Sequence, residues 1–317
     1  IKNRLADAID ERIWKLQFGF RGKKSTAQAM FICRRLQDII EKSDDSLTMI
    51  FLDWEKAFDK VYQDVLVNAV RRMNIPEKMV RALRTFYDNP RFRIKDMEGK
   101  STWRKQRTGL RQGCPLSPYL FVIFMTVLFH DVEKEMGRNT MERTMDLVDF
   151  SNILYADDTF IAGKHPRELN KIVHAIEKHS SRYGMKLNKG KCVHINMNNK
   201  NNIKFADGTA MPKEEEATYL GAKITKKNLN RKEVDERIGK ALNTCNKLKL
   251  FLKTAKCNKK WKLQVYNAVV ISQLVYGLET MYLNESLIKR LDAFHMRGIR
   301  HILGIEHAYW SRQMKKF

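Results

Sequence analysis

A chain of 317 residues with 43% hydrophobic residues is too long for a single core and too apolar to be disordered, so subdomains are expected. Its 60 Lys and Arg against 36 Asp and Glu leave a net charge of +24, which points to a polyanionic partner, nucleic acid being the commonest. Five scattered cysteines without a C-x-x-C pair argue against a zinc knuckle or a disulfide framework, and suit a reducing compartment, nuclear, cytoplasmic or organellar.

Taken in chain order, Leu5 to Ile13 and Ala27 to Ile40 carry helical spacing. Leu47 to Leu52 is an apolar, β-prone run that ends directly on Asp53. Val65 to Tyr87 reads as two helices broken at Pro76, and Arg91 to Lys105 as a hairpin around Glu98-Gly99. Ser117 has the chemistry of an N-cap with Pro118 at the first helical position, opening an apolar helix to about Met136. Its longest apolar run, Leu120 to Phe129, is too short to span a bilayer, so no membrane contact is expected, and no signal peptide is read. Ile153-Leu154 and Phe160-Ile161-Ala162 flank Asp157-Asp158 as two short strands with a tight turn. Leu169, Ile172, Val173 and Ile176 mark a helix that Gly184 stops, and strands with an Asp207-Gly208 turn follow, then Tyr219 to Ile224.

From Asn230 the pattern becomes three helices. Asn230 with Glu233 reads as a capping-box variant, Asn258 and Asn284 as caps, and Val234, Ile238, Ala241, Leu242 and Cys245 as an apolar stripe. From Lys223 to Phe317 there are 21 Lys/Arg against 7 acidic residues, with Lys226, Lys227, Arg231, Lys240, Lys247, Lys249 and Lys253 assigned to the first helix. A nucleic-acid clamp is expected there.

Adjacent carboxylates at the tip of a buried hairpin repel one another, and holding cations gives them a reason to be there. A strand that delivers Asp53 beside that tip would complete an acidic site for two divalent cations, suited to in-line attack at phosphorus. Each feature alone also fits a plain turn or a strand end.

The chain resembles the reverse transcriptase domain of non-LTR (LINE-type) retrotransposons from Gln17 to about Ile305. Gln17 to Arg21 with Ser25-Thr26 is similar to the fingers motif, Phe51 to Asp59 to polymerase motif A, and Gly109 to Pro118 to motif B. Tyr155 to Asp158 is similar to motif C, Tyr183 to Asn188 with Lys191 to motif D, and Tyr219-Leu220-Gly221 to the primer grip. Leu291 to His295 and Arg300 to Gly304 resemble the thumb of such elements.

The resemblance implies an α+β, right-hand polymerase fold: fingers 1–46 and 61–112, palm with an antiparallel sheet 47–60 and 113–222, and a basic helical thumb 223–317. It implies RNA-directed DNA polymerase activity with two Mg²⁺ ions, or Mn²⁺ in their place, held by Asp53 and Asp157 with Asp158 as accessory carboxylate. Phe58 would be the steric gate against a ribose 2′-OH, Gln112 and Gly113 the loop at the incoming nucleotide, and Lys191 the proton donor to pyrophosphate. Arg21 and Lys24 would contact phosphates. The partners implied are an RNA template, a DNA primer and deoxynucleoside triphosphates. Family members also carry an upstream fingers strand with a triphosphate-binding arginine, a Cys/His knuckle and an endonuclease domain, none of which is read between Ile1 and Phe317. Rival readings are a group II intron maturase, a viral RNA polymerase, and a domesticated non-catalytic RNA-binding or structural subunit.

Overall fold

Strand β1 (Leu47–Leu52) is buried along its whole length, because it sits inside a sheet covered on both faces. The computed structural model describes residues 2–137, 152–226 and 230–305. The chain divides into two compact units, the first ending at Lys226.

In the first unit, β1 pairs antiparallel with β5 (Asp158–Gly163) and β6 (Val193–Met197), and β5 pairs with β4 (Asn152–Tyr155), giving the order β4-β5-β1-β6. Side chains alternate across β1 with period two. Ile50 and Leu52 join a core with the helices Ser117–Met136 and Pro166–Arg182. Leu47, Met49 and Phe51 join a second core with the helix Thr26–Ser43 and a hairpin of β7 (Glu216–Tyr219) and β8 (Ala222–Thr225). The register Leu52↔Thr159 places the next positions, Asp53 and Asp158, side by side at the sheet's end.

Helices and hairpins form where the sequence places them, with differences in detail. Ser117 is the first helical residue rather than the cap: Leu116 is already helical, and the Ser117 hydroxyl donates to the Arg111 carbonyl at 2.6 Å. The Asp207-Gly208 turn forms, with Gly208 at φ +83°, but it closes a single bridge (Lys204↔Ala210) instead of full strands. Tyr219 to Ile224 is a hairpin end, with Leu220 and Gly221 at φ +50° and +76° as a two-residue turn requires. Strand β8 thereby belongs to the first unit, and the chain divides after Lys226.

The second unit packs the helices Asn230–Thr254 and Glu285–Leu303 with a middle helix that runs from Lys259 through a π-helical stretch, Asn267–Ile271, to Val275. Ala241, Tyr266, Val270, Leu274 and Phe294 are central to its core. Asn258 and Asn284 cap as expected, accepting from Lys260 N at 2.8 Å and Leu287 N at 3.0 Å. Asn230 is already inside its helix, its amide donating to the Tyr282 carbonyl at 2.8 Å, while Glu233 pairs with Arg237. Leu242 is exposed, being turned about 100° from Ala241 and so off the stripe. Part of the positive charge is neutralised locally: Arg231 pairs with Asp235 and Lys240 with Glu236. Lys226 lies at the end of β8 against Glu215, and Lys227 falls outside the described residues.

Candidate active site

The tight turn between β4 and β5 consists of Ala156 and Asp157, because Tyr155 pairs with Asp158. Ala156 adopts φ +57°, a left-handed conformation that a residue with a Cβ rarely takes unless its surroundings enforce it. Gln17 does much of the enforcing. Its side chain is fully buried, and its Oε1 accepts from both Gly19 N and Ala156 N at 2.8 Å while Nε2 donates to Ala156 O at 3.4 Å. Main-chain bonds reinforce it, from Phe18 N to Leu154 O at 2.7 Å and from Leu154 N to Leu16 O at 2.9 Å. Gly19 lies so close to the turn that a Cβ there would strike the Ala156 backbone nitrogen. On the inner side, Trp54 Nε1 donates to Thr159 Oγ1 at 3.2 Å, and Thr159 donates on to the Asp157 carbonyl at 3.1 Å.

Asp53 is held by a different segment. Asn188 N donates to its carbonyl at 2.9 Å, and its own N–H donates to Cys192 Sγ at 3.4 Å. Burial pushes the Cys192 thiol up to about 11, so it stays neutral and adds no negative charge. Asp53, Asp158 and Lys191 line one cavity of about 330 Å³, together with Glu216 and Tyr219.

The carboxylates perturb one another. Desolvation raises Asp157, and the charge of Asp53 adds to the shift. Asp158 is exposed at the cavity's edge, yet partial desolvation, then Asp157 and Asp53, push it up to about 6. None of the three makes an ion pair among the described residues. No group of three or more His, Cys, Asp or Glu among those residues is placed to hold a metal ion by itself, so substrate and water would have to supply the remaining ligands. That agrees with the habits of Mg²⁺, which binds one or two carboxylates and completes its shell with water and substrate phosphates. Uncompensated carboxylates that raise one another's proton affinity fit a divalent cation, and Asp53, Asp157 and Asp158 are the residues that would hold it.

Phe58 sits in a short helix, Ala57–Lys60, half-buried, stacked on Phe121 with centroids 4.4 Å apart and edge-on to Phe20. Phe58 O accepts from Leu110 N at 2.8 Å, and Gln112 Nε2 donates to Asp59 Oδ1 at 3.0 Å, so the loop with Gly113 is tied to the segment carrying Asp53. Gly113 has φ +79° and open space where a Cβ would be. Lys24 lies over the Phe18 ring at 5.0 Å.

Arg21 requires a correction. All five of its N–H donors are used, on the Asp10 carboxylate and carbonyl and on the carbonyls of Trp14 and Gln17, so it braces the Gln17 loop and has no donor left for a phosphate. Gln17, Cys192, Asp59 and Thr159 had no individual role in the sequence analysis. For Gln17 a signal existed: an amide set between Leu16 and Phe18 must find buried partners.

An antiparallel sheet covered on both faces, with acidic residues at a strand end and a hairpin tip, defines an α+β protein of the right-hand polymerase class. The reverse transcriptase (RNA-dependent DNA polymerase) family matches residues 1–224, and the chain belongs to it. It is 32% identical over 128 residues to a probable RNA-directed DNA polymerase from transposon BS of Drosophila melanogaster, covering 39% of this chain and 14% of that protein. It is 22% identical to the RNA-directed DNA polymerase from mobile element jockey of the same organism, covering 100% of this chain and 35% of that protein. The chain thus spans about a third or less of the length of these two relatives. Its fold is similar to that of telomerase from Candida albicans, solved with a fragment of telomeric RNA, at a TM-score of 0.51 and 12% identity over 95% of this chain and 50% of that one.

Two outcomes are expected. Gln17→Met keeps the side-chain volume but leaves the Gly19 and Ala156 amides without their shared acceptor, which should cost about 2–6 kcal/mol, at about 1–3 kcal/mol for each of the two unsatisfied buried groups. Urea unfolding measures this, and an unchanged midpoint refutes the clamp. Asp158→Asn should act in the opposite direction in metal-free protein. A carboxyl raised to about 6 binds its proton more readily folded than unfolded, so its charge costs stability as pH rises through about 4 to 6 and above. The variant should therefore be more stable at pH 7–8, by about 1 kcal/mol after allowance for solvent screening, with no gain below about pH 4. Melting curves across that pH range decide it.

Proposed function

We propose that this chain is the polymerising core of a LINE-type (non-LTR) retroelement reverse transcriptase, extending a DNA primer 3′-OH on an RNA template. The observation that carries this reading is the convergence of Asp53, Asp158 and Lys191 on one cavity, with Asp157 on the adjoining turn and in the field of Asp53. In this reading residues 1–46 and 61–112 serve as fingers and 47–60 and 113–222 as palm, and the thumb expected over 223–317 begins after Lys226, since β8 stays with the first unit.

Asp53 and Asp157, assisted by Asp158, would hold two Mg²⁺ ions or Mn²⁺ in their place. When bound, such ions activate the primer hydroxyl and neutralise the triphosphate. The primer oxygen forms its bond to the α-phosphorus as the bond to pyrophosphate breaks, in line. The chain's own part is positional. The Gln17 clamp and the Asn188–Asp53 bond hold the carboxylates in place before substrate arrives, which removes reorganisation from the reaction step. Lys191, exposed at the rim of the cavity, would give a proton to the departing pyrophosphate.

Phe58, backed by Phe121, presents a ring that cannot retreat, and a ribose 2′-OH would collide with it. Gln112, oriented by Asp59, and the open Gly113 would meet the incoming deoxynucleotide, with Lys24 near its phosphates. The Leu220-Gly221 turn beside Tyr219 would carry the primer end. The five thiols are free, which supports a reducing compartment, nuclear or cytoplasmic. No helix among the described residues is long and apolar enough to cross a membrane.

Asp157→Asn should lower primer extension by at least about 10²-fold, the scale of losing one main electrostatic element of a transition state. RNA binding should be almost unchanged, since its affinity comes from dispersed Lys and Arg. Extension on a primed RNA template alongside a filter-binding titration measures both, and a mutant that keeps much of the wild-type rate refutes the assignment. Phe58→Val should lower discrimination between deoxynucleotide and ribonucleotide, read as the ratio of kcat/KM for the two on one template. An unchanged ratio leaves Phe58 as a packing residue on Phe121.

A further inference from the structure

The hairpin of β2 (Arg91–Phe92) and β3 (Arg104–Lys105) is exposed at every residue from 91 to 105. Even its large apolar side chains lie open, Ile94 at 63% and Trp103 at 60%, so the arm adds nothing to the core. Its pairing sorts the side chains into two faces. Arg91 opposes Lys105, Phe92 opposes Arg104, and Lys95 bridges Lys100. Opposed residues of an antiparallel pair share a face, as do alternate residues of one strand.

Three positions separate Phe92 from Lys95 but four separate Lys100 from Arg104, so the second strand is bulged by one residue between the two pairings, which brings Lys100 back to the face of Lys105. Arg91, Arg93, Lys95, Lys100 and Lys105 therefore stand together, and the Arg93 guanidinium over the Trp103 ring at 4.7 Å puts the indole with them. None of these five cations forms an ion pair among the described residues. The nearby Asp96 carboxylate is occupied by the turn, accepting from Glu98 N and Gly99 N at 2.9 Å each. Like charges placed directly opposite across a strand pair destabilise it. Two such pairs on a hairpin without a core are a liability in isolation, and a polyanion lying on that face would relieve it.

The indole narrows the polyanion. Aromatic rings among cations bind nucleic acid whose bases are free to stack, which a duplex does not offer. The arm is tied at its base to the loop before Gln112: Gln106 N donates to Pro90 O at 2.8 Å, Gln106 Nε2 to Thr108 O at 3.0 Å, and Tyr62 bridges Thr108. The structure assigns this face to unpaired template RNA ahead of the polymerising site, with phosphates on Arg91, Arg93, Lys95, Lys100 and Lys105 and a base on Trp103. The assignment rests on the reverse transcriptase reading, in which the template not yet copied is the unpaired strand.

The test uses the full chain and two fluorescent probes: a blunt RNA–DNA hybrid, and the same hybrid with an unpaired 5′ RNA extension of about ten nucleotides, within the span one single-strand-binding module covers. Wild type should bind the extended probe more tightly. Trp103→Ala should lose about tenfold on that probe, the scale of one stacked base. Arg93→Ala/Lys95→Ala should lower its log–log salt slope by about 0.7 per phosphate contact removed. The blunt probe should bind as before, and Phe92→Ala on the opposite face should change neither.

Wild-type binding of the extended probe by the Trp103 and Arg93/Lys95 variants overturns the proposal, as does an equal loss from Phe92→Ala. A gain seen only with a DNA extension overturns the assignment to RNA. Primer extension by wild type separates the two readings. Extension without any effect of the hairpin variants refutes the arm alone, whereas hairpin-dependent binding without extension refutes the polymerase.

Discussion

Repulsion among Asp53, Asp157 and Asp158 is the constraint on which the rest of the first unit depends. Three carboxylates with no cationic partner among the described side chains would move apart if their backbones could. The fold removes that option segment by segment. Strand β1 is locked between two cores, Asn188 and Cys192 fix the main chain of Asp53, and the turn carrying Asp157 is gripped by Gln17 on one side and by Thr159 with Trp54 on the other. These contacts come from four separate stretches of chain, so the site cannot form until the sheet has closed. A cation arriving there relieves a repulsion already built in, and little reorganisation remains to oppose its binding.

What could be read from sequence follows from how local each determinant is. The strand ending before Asp53, the 91–105 hairpin and the caps at Asn258 and Asn284 depend on a few neighbouring residues, and the structure repeats them; the turn expected at Asp157-Asp158 forms one residue earlier, at Ala156-Asp157. The partner of Arg21 is not legible in this way, because a basic loop looks the same whether its guanidinium meets a phosphate or an aspartate eleven positions earlier. Ser117 shows the same problem on a smaller scale: cap chemistry was present, but the turn from Cys114 wound the chain into helix one residue sooner. Gln17 serves Ala156 across 139 positions, and no local pattern could disclose that partner.

Charge is distributed with equal economy. The second unit is basic overall, yet Arg231, Arg237, Lys240 and Arg290 each have an acidic partner within that unit. The Arg237–Glu233 pair is almost completely buried, with both side chains at 5% exposure, so it acts in folding rather than as a landing site for phosphate. Net charge therefore overstates what a nucleic acid would meet on that unit. The five cations on one face of the 91–105 hairpin have no acidic partner among the described residues, and it is unpaired charge that binds a polyanion.

Nine described residues other than glycine hold positive φ; Asp44, Asn74, Asn89 and Asn198 are of the types that tolerate it, and Lys23 lies in the loop after Arg21. Phe20, Lys56, Ala156 and Leu220 all hold positive φ without being glycine, and each flanks a segment that supplies the site: the Gln17 loop, the Phe58 helix, the Asp157 turn and the Tyr219 hairpin. Such conformations cost about 1–3 kcal/mol each and persist only where surroundings over-determine them. Here the surroundings are two buried cores meeting across one sheet, including a helix, Ser117–Met136, that is apolar on nearly every side. Strain and repulsion thus fall on neighbouring segments of the first unit, and the large core behind them is what allows the chain to hold both. Relaxing any of the four turns would gain local stability and displace a side chain that the proposed chemistry needs.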